Sequence, residues 1–278
     1  MESAERLQHR ITTLGELHTI VRTMKTLAAT SIRQYEQAVK ALADYHRTVD
    51  LGLQVVLQET KNWPPEFSRR SEPLRLAAVV FGSDHGLCGR FNEDIATHAL
   101  EQTGAYAARI EDHRTLVVGA RVTDHLEQAG RRVENVLPAP GSAARITDTV
   151  QQILLKIDEW RTQSGIRHIH LFYNHHLSRG GYRPTSVELL PVDLHRFQRM
   201  NTNPWPSRRL PVYSMDRNSL LTALLRQYFF VSISRACAES QASEHASRLN
   251  TMQSAQKNLA ERIDEVTMQY RRLRQEAI

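Results

Sequence analysis

Along the last quarter of the chain, apolar or small residues return every three or four positions: Ala242, Ala246, Leu249, Met252, Ala255, Leu259, Ile263, Val266, Tyr270, Leu273 and Ala277. That spacing lays one face of an α-helix on a partner. Neither glycine nor proline occurs from Val212 to Ile278, whereas a globular helix averages about 11–12 residues. A continuous helix here would run roughly 100 Å, too long for one small domain to bury. It predicts a second helix beside it. Between Met1 and Leu51 the only breaker is Gly15, and the same spacing runs through Leu7, Ile11, Leu14, Val21, Met24, Ala28, Ile32, Tyr35, Val39, Leu42, Val49, Leu53 and Val56. His18 and His46 fill gaps in that register and read as seam residues at a wet edge. Ala28, Ala29, Ala242 and Ala246 let two backbones approach closely. Two stripes separated by a block of different pattern predict an antiparallel coiled coil closed by an inserted domain.

In the inserted block the period changes. The first helix ends near Thr60, and the prolines of 61–73 mark a linker. Leu76–Phe81 is a continuous apolar run ending at a glycine, which fits a strand buried on both faces of a parallel sheet, and Thr115–Gly119 repeats it. Helices are expected over 92–102, with Asn92 as N-cap, over 120–129 and over 146–162. Strands are expected over 166–177 and 182–192, joined by the turn Ser178-Arg179-Gly180-Gly181, with a second linker over 194–211. Strands alternating with helices imply a mostly parallel, Rossmann-like α/β domain with an antiparallel edge hairpin. The expected divisions are 1–58 and 208–278 for the paired helices and 74–193 for the domain.

Composition narrows the function. No apolar run reaches the ~18 residues of a membrane span, and Met1-Glu2-Ser3-Ala4-Glu5 is too acidic and polar for a signal or transit peptide. Direct membrane insertion is therefore not expected. Cys88 and Cys237 lie in unrelated contexts, so no disulfide or zinc framework is implied. A net charge of +6 suits acidic partner surfaces, and residues 201–278 contribute +4 of it. Nothing points to nucleic acid.

Candidate chemistry is thin. The loop Phe81-Gly82-Ser83-Asp84-His85-Gly86-Leu87-Cys88-Gly89 joins a strand to a helix, where phosphates bind. Its glycines do not space as G-x-G-x-x-G, and the Gly-Lys-Ser/Thr of a nucleoside-triphosphate loop is missing. Ser83-Asp84-His85 lists the residues of a triad, but triad members meet from distant positions, and the G-x-S-x-G elbow is absent. His168 and His170 share one face of a strand, with His175 and His176 beyond, yet no cysteine or aspartate completes a metal set. No catalytic residue, cofactor or metal is expected.

Four stretches carry a resemblance. Arg10-Ile11-Thr12-Thr13-Leu14 and Ile20-Val21-Arg22-Thr23-Met24-Lys25-Thr26-Leu27-Ala28-Ala29 resemble the first helix of the gamma subunit of F-type ATP synthases, R-I-x-S followed by I-T-x-A-M-K-M-V-A-A. Ser83 to Asn92 is similar to that family's S-D-x-G-L-C-G-G-F-N. Ala242-Ser243-Glu244-His245-Ala246-Ser247-Arg248 with Met252, Ala255 and Asn258 matches A-S-E-x-A-A-R-M-x-A-M-x-x-A-x-x-N. Arg274-Gln275-Glu276-Ala277-Ile278 matches R-Q-x-x-I. The departures are Gly15 for a lysine, Thr23 and Thr26 for alanine and methionine, Arg90 for glycine, and a stop at Ile278 where the family continues into the shaft tip.

The resemblance implies a central-stalk rotor that carries torque between a membrane rotor ring and a catalytic hexamer. The implied partners are the alpha and beta subunits, the epsilon subunit and the rotor ring. The implied location is peripheral, on the cytoplasmic face of a bacterial inner membrane. No cysteine-bearing insertion marks the thiol switch of chloroplast relatives. By motif, Met24, Lys25, Arg248 and Gln275 would touch the hexamer. Arg248, one residue off the stripe at Leu249, is expected to project from the rod with its fork of donors turned to acidic loops. The competing readings are a coiled-coil scaffold with an inserted α/β domain and a Rossmann-like enzyme with helical dimerisation arms.

Overall fold

The computed structural model describes residues 3–58, 75–104, 113–177, 181–193 and 211–277. In chain order the elements are α1 (Ala4–Gln58), β1 (Leu76–Phe81), α2 (Phe91–Gly104), β2 (His113–Val118), α3 (Arg121–Gln128), β3 (Asn135–Leu137), α4 (Ile146–Gln163), β4 (His168–Leu177), β5 (Gly181–Leu190) and α5 (Arg217–Ala277). The 55 residues of α1 and 61 of α5 correspond to roughly 80 and 90 Å of helix.

The two long helices run antiparallel, as their cross-links show. Arg217 donates to the Val56 carbonyl (2.9 Å), Tyr45 to Gln227 (2.7 Å), Lys25 to Gln256 (3.0 Å) and Tyr270 to Gln8 (3.4 Å). Leu7, Ala28, Tyr35, Val49, Leu53 and Val56 of the first stripe are buried. Ile11, Leu14, His18, Val21 and Met24 are only half-buried, since a two-helix rod leaves its seam open along both edges. His46 does fill a seam position but not a wet one: its side chain is mostly buried, pairing with Asp50 at 3.5 Å and packing edge-on to Tyr228. Gly52 has a steric role: a Cβ there would stand 2.9 Å from Leu224 Cδ2, so its absence lets α1 and α5 close up.

The sheet order is β3-β2-β1-β4-β5, parallel except for the β4–β5 hairpin. One face, carrying Ala78, Val80, Val117 and Phe172, packs on Ile95, Ala96 and Ala99 of α2 and Val122 and Leu126 of α3. The other face, with Val79, Phe81, Leu116 and Leu171, packs on Ile153 and Trp160 of α4 and Ile233 and Cys237 of α5. One shaft helix is therefore also a layer of the α/β domain. From Val231 to Arg248, α5 is buried nearly all round, with α1 on one side and the sheet on the other.

Several expectations change. Asn92 does not cap α2, which starts at Phe91; its amide turns back to Ser83. Strand β3 was not foreseen, because three edge residues show no alternation. His168 and His170 lie on β4, the inner strand of the hairpin, with β5 as the sheet edge outside it. The linker over 61–73, residues 178–180 of the expected turn, and 194–210 lie outside the described residues.

Candidate functional site

Where domain and shaft meet, the 82–90 loop between β1 and α2 is locked from both sides. On the domain side, Ser83 N donates to Asn92 Oδ1 (2.9 Å), Asn92 Nδ2 to Ser83 Oγ (2.8 Å), and Ser83 Oγ to the His85 carbonyl (2.9 Å). The Asp84 carboxylate accepts from the backbone N–H of Ala120 (3.0 Å) and of Ala139 (2.8 Å). It thereby ties this loop to the connections after β2 and β3. Ser83-Asp84-His85 is thus a structural knot, with aspartate bound to backbone rather than to imidazole.

On the shaft side, α5 supplies the donors. Ser247 Oγ donates to the Cys88 carbonyl (2.6 Å), and Arg248 Nη2 donates to the carbonyls of His85 (3.0 Å) and Gly86 (3.3 Å). One turn earlier, Ser243 Oγ reaches the Asn174 carbonyl on β4 (2.8 Å), and Asn174 Nδ2 reaches the Phe91 carbonyl (3.0 Å). These groups lie in a largely dry joint, where an unpaired carbonyl would cost about 1–3 kcal/mol. Gly89, at φ +59°, turns the loop toward the helix, and a Cβ there would lie 3.5 Å from Ser247 Oγ. Leu87 is also left-handed (φ +63°) although it carries a side chain, which is 57 % exposed. That conformation costs an L-residue roughly 1–2 kcal/mol.

The expectation that Arg248 projects from the rod is overturned: it is 7 % exposed. At this level α1 covers one flank of α5 and the 82–90 loop the other, so a position just off the stripe faces protein. Its guanidinium pairs with Glu244 at 2.7 Å, one turn earlier. Burial pushes the Glu244 carboxyl above its usual range against the pull of Arg248 and Gln241. His245 stacks on Tyr35 of α1 at 5.5 Å, and burial, aided by the neighbouring Arg248, brings it down to about 4. Tyr35 in turn donates to the Pro140 carbonyl (2.8 Å), which binds α1 to the loop after β3.

The histidines weighed as metal ligands are clamps. His175 meets the buried Glu239 of α5 at 2.5 Å, where Arg235 also pairs (2.7 Å), and His176 meets Glu36 of α1 at 3.0 Å. His168 and His170 flank Glu188 at 3.4 and 4.0 Å. Among the described residues no three His, Cys, Asp or Glu side chains converge as a metal site. Both cysteines are buried, and burial pushes the Cys237 thiol up to about 12 and Cys88 in the same direction, so neither is poised as a thiolate.

The other positions singled out by motif lie along the shaft. Met24 and Lys25 are half-buried on α1, with Lys25 bonded to Gln256, and Gln275 is exposed near the end of α5. The structure does not gather them with Arg248. Sequence reasoning missed Tyr35, Asn174, His175, His176 and Glu239 as parts of the joint. The available signal was the polar run Glu239-Ser240-Gln241 and Ser243-Glu244, which leaves Ala242 as the one apolar residue of the stretch.

The geometry defines a class: a long antiparallel two-helix stalk keyed into an α/β foot by side chains from both helices. The family model described as ATP synthase matches residues 3–278. The chain belongs to the ATP synthase family. It is similar to the ATP synthase gamma chain of Nitrosomonas eutropha, 24 % identical over 283 residues that cover 100 % of this chain and 95 % of that one. The gamma chain of Desulfitobacterium hafniense is 26 % identical with the same coverage. Among solved structures, the rotor of the Euglena gracilis mitochondrial ATP synthase superposes with a TM-score of 0.66 at 13 % identity, covering 99 % of this chain and 98 % of that one. The central stalk and c-ring structure from Tetrahymena thermophila mitochondria gives 0.59 at 19 % identity, over 85 % of this chain and 99 % of the other. Among the described residues no helix is long and apolar enough to cross a membrane.

Proposed function

We propose that this chain is the gamma-type central stalk of a rotary ATP synthase, a non-catalytic subunit that turns inside a ring of alpha and beta subunits. In this reading 1–58 and 208–278 form the shaft. The 74–193 domain is the foot, standing with the epsilon subunit on an ion-driven rotor ring at the cytoplasmic face of a bacterial inner membrane. The observation that carries it is the joint. Torque entering at the foot has to reach the shaft without slip, and on α5 Ser247 and Arg248, the latter paired to Glu244, bind the foot's 82–90 loop directly while Ser243 binds strand β4. Full-length similarity to gamma chains supports the same reading.

Met24, Lys25 and Gln275 are the positions proposed to touch the ring. Arg248 takes a different part from that in a surface contact: it positions the loop on which the foot turns the shaft. Purifying the tagged full chain after co-expression with the other subunits tests the assignment. A nucleotide-hydrolysing ring that co-purifies with it, with ATP synthesis in vesicles depending on its presence, is the expected result. Recovery of the chain with no nucleotide-binding ring would replace the rotor by the scaffold reading.

A further inference from the structure

Successive residues of a strand point to opposite faces, so two adjacent histidines at the end of β4 can reach two different partners. His175 Nδ1 meets Glu239 Oε2 of α5 at 2.5 Å, and His176 Nε2 meets Glu36 Oε1 of α1 at 3.0 Å. The foot is thus strapped to each shaft helix by one imidazole. The two straps are not equivalent. Glu239 is 1 % exposed, and its other oxygen accepts from Arg235 Nε at 2.7 Å, which balances its charge. An ionised carboxylate only accepts, so the proton of this contact sits on His175 Nδ1. That leaves Nε2 as the nitrogen that can gain one. The ring is 33 % exposed, and among the described residues Nε2 has no partner, so it opens to water. A proton added there stays hydrated and turns Nδ1–H···Oε2 into a charge-assisted bond, roughly twice as strong as the neutral one. His176 offers no such change. Its Nδ1 is buried with no partner among the described residues, so a second N–H would stand without an acceptor.

The other charges near His175 leave this change in place. Tyr173, two residues back on the same face of β4, stays a neutral phenol, because burial pushes it up to about 12. Arg183 stands opposite His175 on β5 and is exposed, where water screens its repulsion. On α5 Arg235 is committed to Glu239, while α1 contributes Glu36 beside His176 and Asp50 toward Arg235. We propose that His175 is a proton-operated latch between foot and shaft. It tightens the joint as pH falls through the range, about 5–8, in which imidazoles take up charge. The sign is opposite to that of His245, whose contribution is lost on acidification. Any use of the latch in rotation rests on the rotor reading; the latch itself belongs to the joint and does not.

Two measurements on the full chain decide it. Nitrogen NMR of the histidine-labelled chain reads the ring directly. At about pH 8 His175 should carry its proton on Nδ1 with Nε2 bare, and on acidification to about pH 5.5 it should become an imidazolium that keeps the Nδ1–H. A neutral ring protonated at Nε2, or no titration over that range, overturns the latch. Denaturant unfolding then compares the parent with His175→Asn, whose amide nitrogen stands where Nδ1 does but takes up no proton. The ratio of the two unfolding constants should change about ten-fold between those pH values, favouring the parent at the acid end. Both chains carry the same His245 and Glu244, so their titrations cancel in the ratio. A ratio that does not move with pH makes His175 a plain strap and removes the latch. Should His175→Asn fail to fold, the nitrogen titration of the parent chain decides alone.

Discussion

At the scale of single residues, the consequence of the joint is that charge is buried rather than displayed. Removing one partner of a buried pair leaves the other uncompensated, which typically costs 3–5 kcal/mol. Arg248→Ala should therefore destabilise the folded chain by about 3 kcal/mol or more, since Glu244 and the carbonyls of His85 and Gly86 lose their partner together. Denaturant unfolding of the purified chain measures this, and a loss under about 0.5 kcal/mol, the usual effect of a surface change, would contradict the burial. Arg248→Lys should recover only part of it, having the charge without the planar fork. His245 predicts a pH dependence. Its imidazole is brought down to about 4 in the fold, below the ~6.5 of an unfolded chain. The unfolded state then binds more protons between those values, so this residue's contribution is complete above about pH 6.5 and is lost as pH falls toward 4. Glu244 is shifted upward, and its contribution runs the other way, weakening as pH rises above the usual carboxylate range. Comparing wild type with His245→Phe isolates the histidine: the stability lost between pH 7 and pH 5 should shrink by about 1–2 kcal/mol.

At the scale of elements, two glycines in one helix separate propensity from packing. Nothing stands within 4 Å of a Cβ placed at Gly15, whereas at Gly52 the same atom meets Leu224. Gly15→Ala should stabilise α1 by about 0.5–1 kcal/mol, the ordinary alanine advantage in a helix. Gly52→Ala should gain clearly less, because Leu224 has to move. Equal gains in thermal melts of the two variants would show that the helices do not touch at Gly52. The centre of α5 makes the complementary point. Ser240, Ser243 and Ala238 are fully buried because α1 and the sheet both press on that stretch. Small residues there serve close approach on two sides.

At the scale of the whole molecule, the shaft and foot share one helix, α5, which packs on α1 and on the sheet in one core. Antiparallel pairing within a single chain follows from the contact of Lys25 with Gln256. Cysteines introduced as Lys25→Cys and Gln256→Cys should be joined within one chain by a short bifunctional thiol reagent, which spans the reach of the two side chains they replace, seen as a faster-migrating monomer on a denaturing gel. A dimer band in its place would favour the scaffold reading.

The long helices, their pairing and the parallel strand runs were legible in the sequence, because each is a local consequence of period and of where glycine and proline stand. A stripe at three and four predicts a covered face whatever covers it, and the short apolar run Leu76–Phe81, ended by a glycine, fits a strand walled on both sides. The Ser83–Asn92 and Ala242–Arg248 motifs could likewise be read as marked sequences. That they are marked for each other could not. Whether Arg248 meets water or the His85 carbonyl depends on what lies beside α5 at that height, and a loop 162 residues away in the chain decides it. Periodicity describes one helix and one covered face. A helix pressed from two sides, with its buried charge matched by the carbonyls of a distant loop, exists only once the sheet has been set against the shaft.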